Sequence, residues 1–329
     1  MPFPGRLDTM RKLTLMPALL LSGLILIQCG KDPSSGKHAT AEHTTSDSAA
    51  GAGDRPAPPK IKINYSEFIF PENKKDSAMS AFREKYSESQ RYTILALNRL
   101  DEKNAWRADT LMIPDRFEKD FLVYSPFPAE MPVLKEVKKF VIFSYPIQAY
   151  AVYQKGSLIK WGPTSMGKKS AQTKRGLMFT NWKQKLAIST VNRHWKLPYN
   201  FNIQNTLGIG WHQYDLPAHP ASHSCLRLLM DDAKWMYDFG DQWILDKNGK
   251  TLIAKGTPVI VFGDYNWGGR KPWKQLSQNS EATQYTADQL NKEIQPYLQK
   301  ILDEQKNREN VLAQQQNPSA AEPVQNEAQ

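Results

Sequence analysis

The sequence predicts a mainly β fold, a β-sandwich with one or two short helices, preceded by a small α/β or helical module. Short apolar runs rich in β-branched and aromatic residues recur between residues 140 and 262. Turn signals such as Lys155-Gly156 and Asn248-Gly249 separate these runs. A single helical pattern, over residues 231–239, interrupts them. Many short strands joined by hairpins are typical of a sandwich or a barrel.

Each strand of this β region is predicted from a short apolar run. The predicted strands cover residues 140–143, 149–153, 158–161, 243–245, 251–253 and 259–262. The Asn248-Gly249 pair predicts a tight hairpin between two of them. The helix over 231–239 has Asp231 as its expected N-cap and Gly240 as its expected stop.

The segments on either side of the β region have different compositions. Residues 61–134 combine extended apolar stretches with two helical patterns, at 77–86 and 89–100, and a strand at 109–114. After residue 271, apolar residues at helical spacing predict a helix that Pro296 should kink or interrupt. The predicted divisions are a signal peptide (1–28), a tether (29–60), a small module (61–134), the main β domain (135–270), a helical extension (271–313) and a disordered tail (314–329).

The N-terminal segment resembles an export signal. Basic residues precede an apolar run over 13–27 that is too short and too broken by Pro17 and Gly23 for a comfortable membrane span. The run ends at Leu-Ile-Gln-Cys-Gly, residues 26–30, which resembles a lipobox, so Cys29 is expected to be lipidated after cleavage. A plain signal peptide with an incidental cysteine is the alternative. We expect a membrane-anchored lipoprotein of the bacterial envelope that faces the periplasm, with residues 29–60 as its flexible tether.

The charge of the chain favours anionic partners. Lys and Arg total 43 against 33 Asp and Glu, a formal net charge of +10. The basic residues are dispersed and no zinc-finger or RNP-type motif is present, so nucleic acid is not an expected partner. No feature of the sequence specifies an oligomeric state.

Chemically reactive side chains concentrate between residues 210 and 228. This stretch holds three of the six histidines and one of the two cysteines. Cys225 is the candidate nucleophile, and His212, thirteen residues earlier, is the candidate base that takes its proton. Lipidation of Cys29 would exclude a disulfide between the two cysteines. A buried packing role is the alternative for Cys225.

The block Ser-His-Ser-Cys-Leu-Arg at 222–227 resembles the signature of the YkuD-type L,D-transpeptidases. That family has a Ser/Thr-His-Gly-Cys block and a histidine upstream of it. Residues 165–179 and the Gly-Thr-Pro-Val run at 256–259 extend the similarity over about residues 140–265. The chain departs from the family pattern twice, in the short spacing from His212 to Cys225 and in Ser224, which stands where glycine is usual.

The resemblance implies an activity and roles for the block. Cys225 would attack the carbonyl of the third residue of a peptidoglycan stem peptide, and an amine on another stem or on a protein would resolve the acyl-enzyme. Neither a cofactor nor a metal is implied. The implied supporting residues are His223 and Ser222, with the amides of Ser224 and Cys225 as oxyanion donors and Arg227 as a carboxylate ligand or a structural ion pair.

Other functions remain open from the residues alone. Water as the acceptor would make the protein an L,D-carboxypeptidase or hydrolase of the same fold. His212, His219, His223 and Cys225 could instead ligate zinc. A third alternative is a non-catalytic wall-binding lipoprotein. Residues 94–98 and 107–114 are similar to the second half of a LysM module, although a helical cap on the β domain explains them as well.

Overall fold

The computed structural model describes residues 61–189 and 191–316. The predicted signal peptide, Cys29 and the tether lie outside the described residues, as do residues 317–329 of the predicted tail. Within the described ranges, no helix combines the length and the apolar character that a bilayer span requires.

Thirteen strands and four α-helices make up the regular structure of these ranges. The strands are β1 (Tyr65–Ile69), β2 (Thr110–Pro114), β3 (Phe140–Ser144), β4 (Ala149–Gln154), β5 (Ser157–Pro163), β6 (Gly176–Phe179), β7 (Lys183–Ile188), β8 (Lys196–Gln204), β9 (Ile209–Gln213), β10 (Leu226–Leu228), β11 (Ile244–Leu245), β12 (Leu252–Ala254) and β13 (Pro258–Phe262). The helices are α1 (Lys75–Lys85), α2 (Glu88–Leu97), α3 (Met230–Phe239) and α4 (Ala287–Gln316).

A five-stranded sheet forms the centre of the β region, in the order β5-β4-β3-β13-β6. Strand β13 runs parallel to β3, and the other pairs are antiparallel. Phe140 and Ile142 point into a core that includes side chains of α4, whereas Val141 and Phe143 point into a second core on the opposite face. Because both faces are buried, these strands have continuous apolar runs instead of alternation.

A four-stranded sheet, ordered β10-β9-β8-β7, packs against the second of these cores. Phe201, Trp211 and Leu226 face the five-stranded sheet and are buried completely. The residues that alternate with them lie on the outer face of the four-stranded sheet. The two packed sheets confirm the predicted mainly β sandwich.

The module before the sandwich is a two-stranded sheet with two helices. Strands β1 and β2 pair antiparallel, and α1 and α2 lie between them in the chain. Helix α2 begins with a capping box, in which the Ser87 hydroxyl accepts from the Gln90 amide and the Gln90 side chain accepts from the Ser87 amide. Phe82, Ile94 and Leu111 form the centre of a separate core. The LysM resemblance stays a prediction.

Two local expectations differ from the structure. Helix α3 begins at Met230 with Leu229 as its N-cap, so Asp231 as the N-cap is wrong. Asp231 lies instead in the first turn, where its charge complements the helix dipole. Helix α4 continues through Pro296 without interruption, and residues 314–316 of the predicted tail belong to it.

Candidate active site

The outer face of the four-stranded sheet brings the predicted site residues together. Strands β9 and β10 pair in parallel with Arg227 beside His212. Cys225 comes two residues before Arg227, immediately before β10, so its side chain lies on the same face as those of Arg227 and His212. Trp211 and Leu226 alternate with them and fill the core. The strand period therefore places nucleophile and base candidates on one surface.

His212 is buried in the orientation that a base requires. Only 4% of the residue is exposed, and Nδ1 lies 2.9 Å from the carbonyl oxygen of Gln213. Because a carbonyl can only accept, Nδ1 carries the proton and Nε2 carries the lone pair. Burial lowers the pKa of His212 to about 4, and the Arg227 cation acts in the same direction against the Gln213 hydrogen bond. The imidazole is therefore neutral near pH 7.

Cys225 is a half-buried free thiol at the end of the loop that leads into β10. Its Sγ lies 3.8 Å from the carbonyl oxygen of Gly208. Burial raises the pKa of the thiol, while the backbone amide of Gly210 and the Arg227 cation oppose that shift. The resting side chain is consequently a thiol and not a thiolate, so attack requires that a base removes its proton.

The peptide units around Cys225 are held through their carbonyl oxygens. The Ser222 hydroxyl donates to the carbonyl of Cys225 at 2.5 Å, and the Thr173 hydroxyl donates to the carbonyl of Ser224 at 2.9 Å. Ser224 has a φ of +82°, in the left-handed region that favours glycine. The departure from glycine at this position therefore places a side chain where the backbone is strained. Ser222 supports the block through its bond to the Cys225 carbonyl.

His223 lines the cleft and contacts the side chain of Lys168. Lys168 Nζ lies 2.9 Å from His223 Nε2, so the ammonium donates to a neutral imidazole whose proton is on Nδ1. His223 Nδ1 is buried and has no hydrogen-bond partner among the described residues. Burial lowers the pKa of His223, and the cations of Lys168 and Arg227 lower it further. The ring also packs on Trp195, with centroids 4.9 Å apart.

Arg227 binds backbone instead of a carboxylate. Its guanidinium donates to the carbonyls of Asp215 at 3.2 Å and Ala221 at 3.1 Å, and it lies 4.5 Å from the ring centroid of Tyr214. These bonds span both ends of the loop between His212 and Cys225. Arg227 thus makes structural contacts through carbonyls and not through an ion pair, and its predicted contact with a substrate carboxylate stays a prediction.

His219 lies apart from the other histidines. Its Nδ1 binds the carbonyl of Pro217 at 2.9 Å, and its own carbonyl accepts from the Ser165 hydroxyl at 2.7 Å. It does not line the cleft into which His212 and Cys225 open. In residues 61–189 and 191–316, no group of three or more His, Cys, Asp and Glu side chains could hold a metal ion. The described geometry gives the zinc alternative no support.

The site opens into a cleft on the outer side of the four-stranded sheet. Its polar lining includes His212, His223, Ser224 and Cys225. Strands β7 and β8 and the segment between them supply most of its apolar lining, and no acidic side chain lines the cleft among the described residues. Its apolar lining includes Trp182, Ile188, Val191, Trp195, Leu197 and Leu207.

Several residues of the site could not be found from the sequence. Lys168 follows the Ser-Met-Gly run at 165–167, and it reaches His223 only because Gly167 and Ser222 form an isolated β-bridge. Trp182 and Trp195 line the cleft from a hairpin that contains no motif. A lysine or a tryptophan is too common at surfaces for its position in the chain to indicate a site.

Part of the chain matches the model of a known family. Residues 138–261 match the sequence model of the YkuD L,D-transpeptidase catalytic domain. No curated protein matches the chain.

Solved structures of L,D-transpeptidases are similar to part of the chain. The L,D-transpeptidase of Stackebrandtia nassauensis is 26% identical, with a TM-score of 0.32, over 39% of this chain and 57% of that one. An L,D-transpeptidase from Mycobacterium smegmatis is 19% identical, with a TM-score of 0.31, over 38% and 59%. One from Mycobacterium tuberculosis is 19% identical, with a TM-score of 0.31, over 47% and 72%. The chain spans less than two thirds of the first two proteins.

The family match contains both His212 and the block at 222–227. It also includes nearly all of the two packed sheets. Residues 138–261 of this chain are therefore a YkuD L,D-transpeptidase catalytic domain.

Proposed function

We propose that this protein is a cysteine-dependent L,D-transpeptidase that acts on peptidoglycan stem peptides. The observation that carries the proposal is the shared face of β9 and β10, on which His212 and Cys225 open into one cleft inside the family match. An amine on another stem or on a protein is the proposed acceptor, and water in its place would give the hydrolytic reaction.

The proposed reaction has two steps. Cys225 Sγ attacks the carbonyl of the third stem residue while His212 Nε2 takes the thiol proton, which gives a tetrahedral oxyanion. The amides of Ser224 and Cys225 are the proposed donors to that oxyanion. Collapse breaks the peptide bond, and the proton on His212 leaves with the terminal D-residue as its amine. The acceptor amine then attacks the thioester, loses a proton to His212, and releases the thiol.

The electrostatics of the pair determine how the first step proceeds. Burial raises the pKa of Cys225 and lowers that of His212, so both groups are neutral near pH 7. A resting thiolate–imidazolium pair is therefore disfavoured, and proton removal must accompany attack on the carbonyl. The tautomer of His212, with its lone pair on Nε2, suits that transfer.

Positive charge beside the cleft, on Lys168 next to the lining residue His223, suits a substrate with a carboxylate. Lys168 donates to His223 and forms no ion pair within the described part of the chain. The bonds of Arg227 reach only carbonyl oxygens. Since the cleft has no acidic side chain, the stem carboxylate is the group we place near Lys168.

The proposed location is the cell envelope. A lipid on Cys29 would anchor the protein to a membrane, and residues 30–60 would let the catalytic domain reach the wall. Mass spectrometry of the membrane-extracted protein tests this, because thioether-linked lipid on Cys29 is expected at the mature N-terminus. An unmodified Cys29 in that fraction would contradict the anchor and leave the catalytic proposal unaffected.

Incubation with a disaccharide-tetrapeptide tests the reaction. The wild type should release the terminal D-residue and form cross-linked muropeptides, whereas Cys225→Ala should form none and should keep the thermal midpoint of the wild type. A meropenem-type β-lactam should add its mass to the wild type only. Tripeptide without cross-links would identify the hydrolase. Identical muropeptides from wild type and Cys225→Ala would overturn the catalytic proposal.

A further inference from the structure

The loop between the base and the nucleophile is held from within the catalytic domain at both ends. We call residues 214–221 the site loop. The Arg227 guanidinium binds the carbonyls of Asp215 and Ala221, and the amide of Tyr214 donates to the carbonyl of Leu228 at 3.2 Å. The Ser165 hydroxyl adds a bond to the carbonyl of His219 at 2.7 Å, which leaves residues 216–218 to be positioned from outside the catalytic domain.

The middle of the site loop is bound by the module that precedes the catalytic domain. Residues 99–103, which we call the strut, follow α2. The Asp101 amide donates to the carbonyl of Leu216 at 3.2 Å, and the Leu216 amide donates to Asp101 Oδ2 at 2.8 Å. The Ala218 amide donates to the carbonyl of Arg99 at 2.9 Å. Together these bonds resemble one more rung of antiparallel sheet, centred on the bridge between residues 100 and 217.

The strut is fixed by a fully buried arginine. Arg99 has a φ of +62°, and its guanidinium lies 5.9 Å from the ring centroid of Trp161 and 5.4 Å from that of Trp273. Its Nε donates to the carbonyl of Ile147 at 2.7 Å, just beyond β3. Displacing the strut would leave a buried cation without these partners, which is strongly unfavourable. The strut is therefore rigid relative to the five-stranded sheet.

Asp101 connects the strut to the site loop with one carboxylate. Its Oδ1 accepts from the amide of Asn104 at 2.7 Å and so caps the short 3-10 turn over 102–107. Its Oδ2 accepts from Leu216, which is buried completely. Lys103, the last residue of the strut, also forms an ion pair with Asp215 at 3.0 Å, but this pair is largely exposed.

We propose that the strut, which lies outside the family match, is a positioning element of the active site, and that Asp101 is its principal positioning residue. The strut holds the site loop so that His212 and Cys225 keep their relative placement during attack. The reaction it serves is the proposed transpeptidation, so the inference rests on that function. The module at 61–134 is accordingly part of the catalytic machinery, whatever else it binds.

The placement of the site loop also excludes water from the imidazole of His212. Tyr214 packs edge-on to the His212 ring at 6.0 Å between centroids, and Arg227, Cys225 and His223 are the other titratable groups that line the same cleft. Release of the loop would admit water to the imidazole. The pKa of His212 should then rise from about 4 towards its ordinary value, because burial is the main cause of the shift.

Asp101→Ser separates positioning from folding. Serine keeps an N-cap for the 3-10 turn and is too short to reach the Leu216 amide. Acylation by meropenem should slow about 10-fold, the usual effect of losing a hydrogen bond to a charged group. The NMR titration of His212, assigned by comparison with His212→Gln, should show a raised pKa. Asp120→Ser is the matched control, because Asp120 caps another 3-10 turn through the Leu122 amide and does not touch the site loop.

The outcomes distinguish this inference from the proposed function. If Asp101→Ser reacts at the wild-type rate and His212 titrates as in the wild type, the positioning role is wrong. If meropenem does not acylate the wild type, the proposed function fails and the His212 titration alone decides the role of the strut. Should Asp101→Ser not fold, Asp101→Asn takes its place. Its single carbonyl oxygen can cap the turn or bind Leu216 but not both, so a slower reaction and a raised pKa are expected, and wild-type values in both would overturn the role.

Discussion

The two sheets of the catalytic domain are built from different sequence patterns, and only the four-stranded sheet carries the candidate catalytic residues. The five-stranded sheet is buried on both faces, so β3, β4 and β13 are nearly continuous apolar runs. The four-stranded sheet packs on the core through one face, and its other face presents His212 and Arg227 beside the site loop and the cleft. A sheet whose outer face borders a cleft can position polar side chains at an edge of the core without burying unpaired charge.

The largest expected effect is on the acylation rate, when the candidate base on the four-stranded sheet is removed. His212→Gln should slow acylation by meropenem about 1,000-fold, because proton removal by a positioned base contributes roughly 100- to 10,000-fold. The thermal midpoint should stay near that of the wild type at pH 7. Stopped-flow fluorescence or intact mass against time measures the rate. A rate within a few-fold of the wild type would remove His212 from the mechanism.

Truncation of a side chain in the five-stranded sheet should have the opposite effect, a loss of stability with an unchanged acylation rate. Ile142→Ala leaves a cavity between β3 and α4 and should reduce the free energy of unfolding by about 3 kcal/mol. Its acylation rate per folded molecule should be unchanged, since Ile142 faces away from the four-stranded sheet. Urea denaturation and active-site titration with meropenem check the two halves of this prediction. A loss of rate without loss of stability would contradict the division between the sheets.

Acid should destabilise the four-stranded sheet through His212. The pKa is about 4 in the folded state and about 6.5 in the unfolded chain, so the unfolded state binds more protons between those values. The contribution is fully present above pH 6.5 and is lost as pH falls to 4, by about 3 kcal/mol. Denaturation of wild type and His212→Gln at pH 7 and pH 4 measures the difference. Equal losses in both proteins would show that His212 is not the group responsible.

Lys168 offers a smaller effect on substrate binding. Lys168→Met removes the ammonium beside His223 and keeps the aliphatic length, so KM for the tetrapeptide should rise about 10-fold with little change in kcat. Lys169→Met is the matched control, because Lys169 is the next residue in the chain and its side chain is exposed. An equal change in both variants would indicate general charge attraction instead of a carboxylate contact at Lys168.

The smallest effect is a gain in stability at the strained block. Ser224→Gly relieves a left-handed residue, which costs roughly 1–2 kcal/mol, but it also gives the unfolded chain more freedom. A net rise of about 0.5–1 kcal/mol in the free energy of unfolding is expected, with acylation retained. Calorimetry measures it, and Ser222→Gly should instead destabilise because it removes the bond to the Cys225 carbonyl. A fall in stability for Ser224→Gly would mean that the serine side chain has a role of its own.

How well the sequence predicts the molecule differs between the two sheets for a physical reason. Strands β3, β4 and β13 were predictable because burial on both faces leaves an unmistakable apolar run. Strands β7 and β8 were not, since their outer face alternates polar and exposed apolar residues, as in Leu186 and Ile188. Asp231 was misread because an acidic residue fits the first turn of a helix as well as its N-cap.

The site divides in the same way between local and distant contacts. Cys225 and His212 are identifiable as candidates because thiol and imidazole chemistry restricts which residue types can serve, and their catalytic roles stay predictions. Lys168 and Asp101 are not identifiable, because each acts through a partner far along the chain, His223 at 55 residues and Leu216 at 115. Nothing in the local sequence encodes such pairings.

The long C-terminal helix has a practical consequence for anyone who shortens the gene. Leu290, Ile294 and Ile301 cover one side of the central strands, against Phe140 and Ile142. A truncated protein that ends at residue 261, where the family match ends, would expose this apolar surface to solvent. Such a fragment should precipitate or bind chaperones, even though it still contains His212 and Cys225.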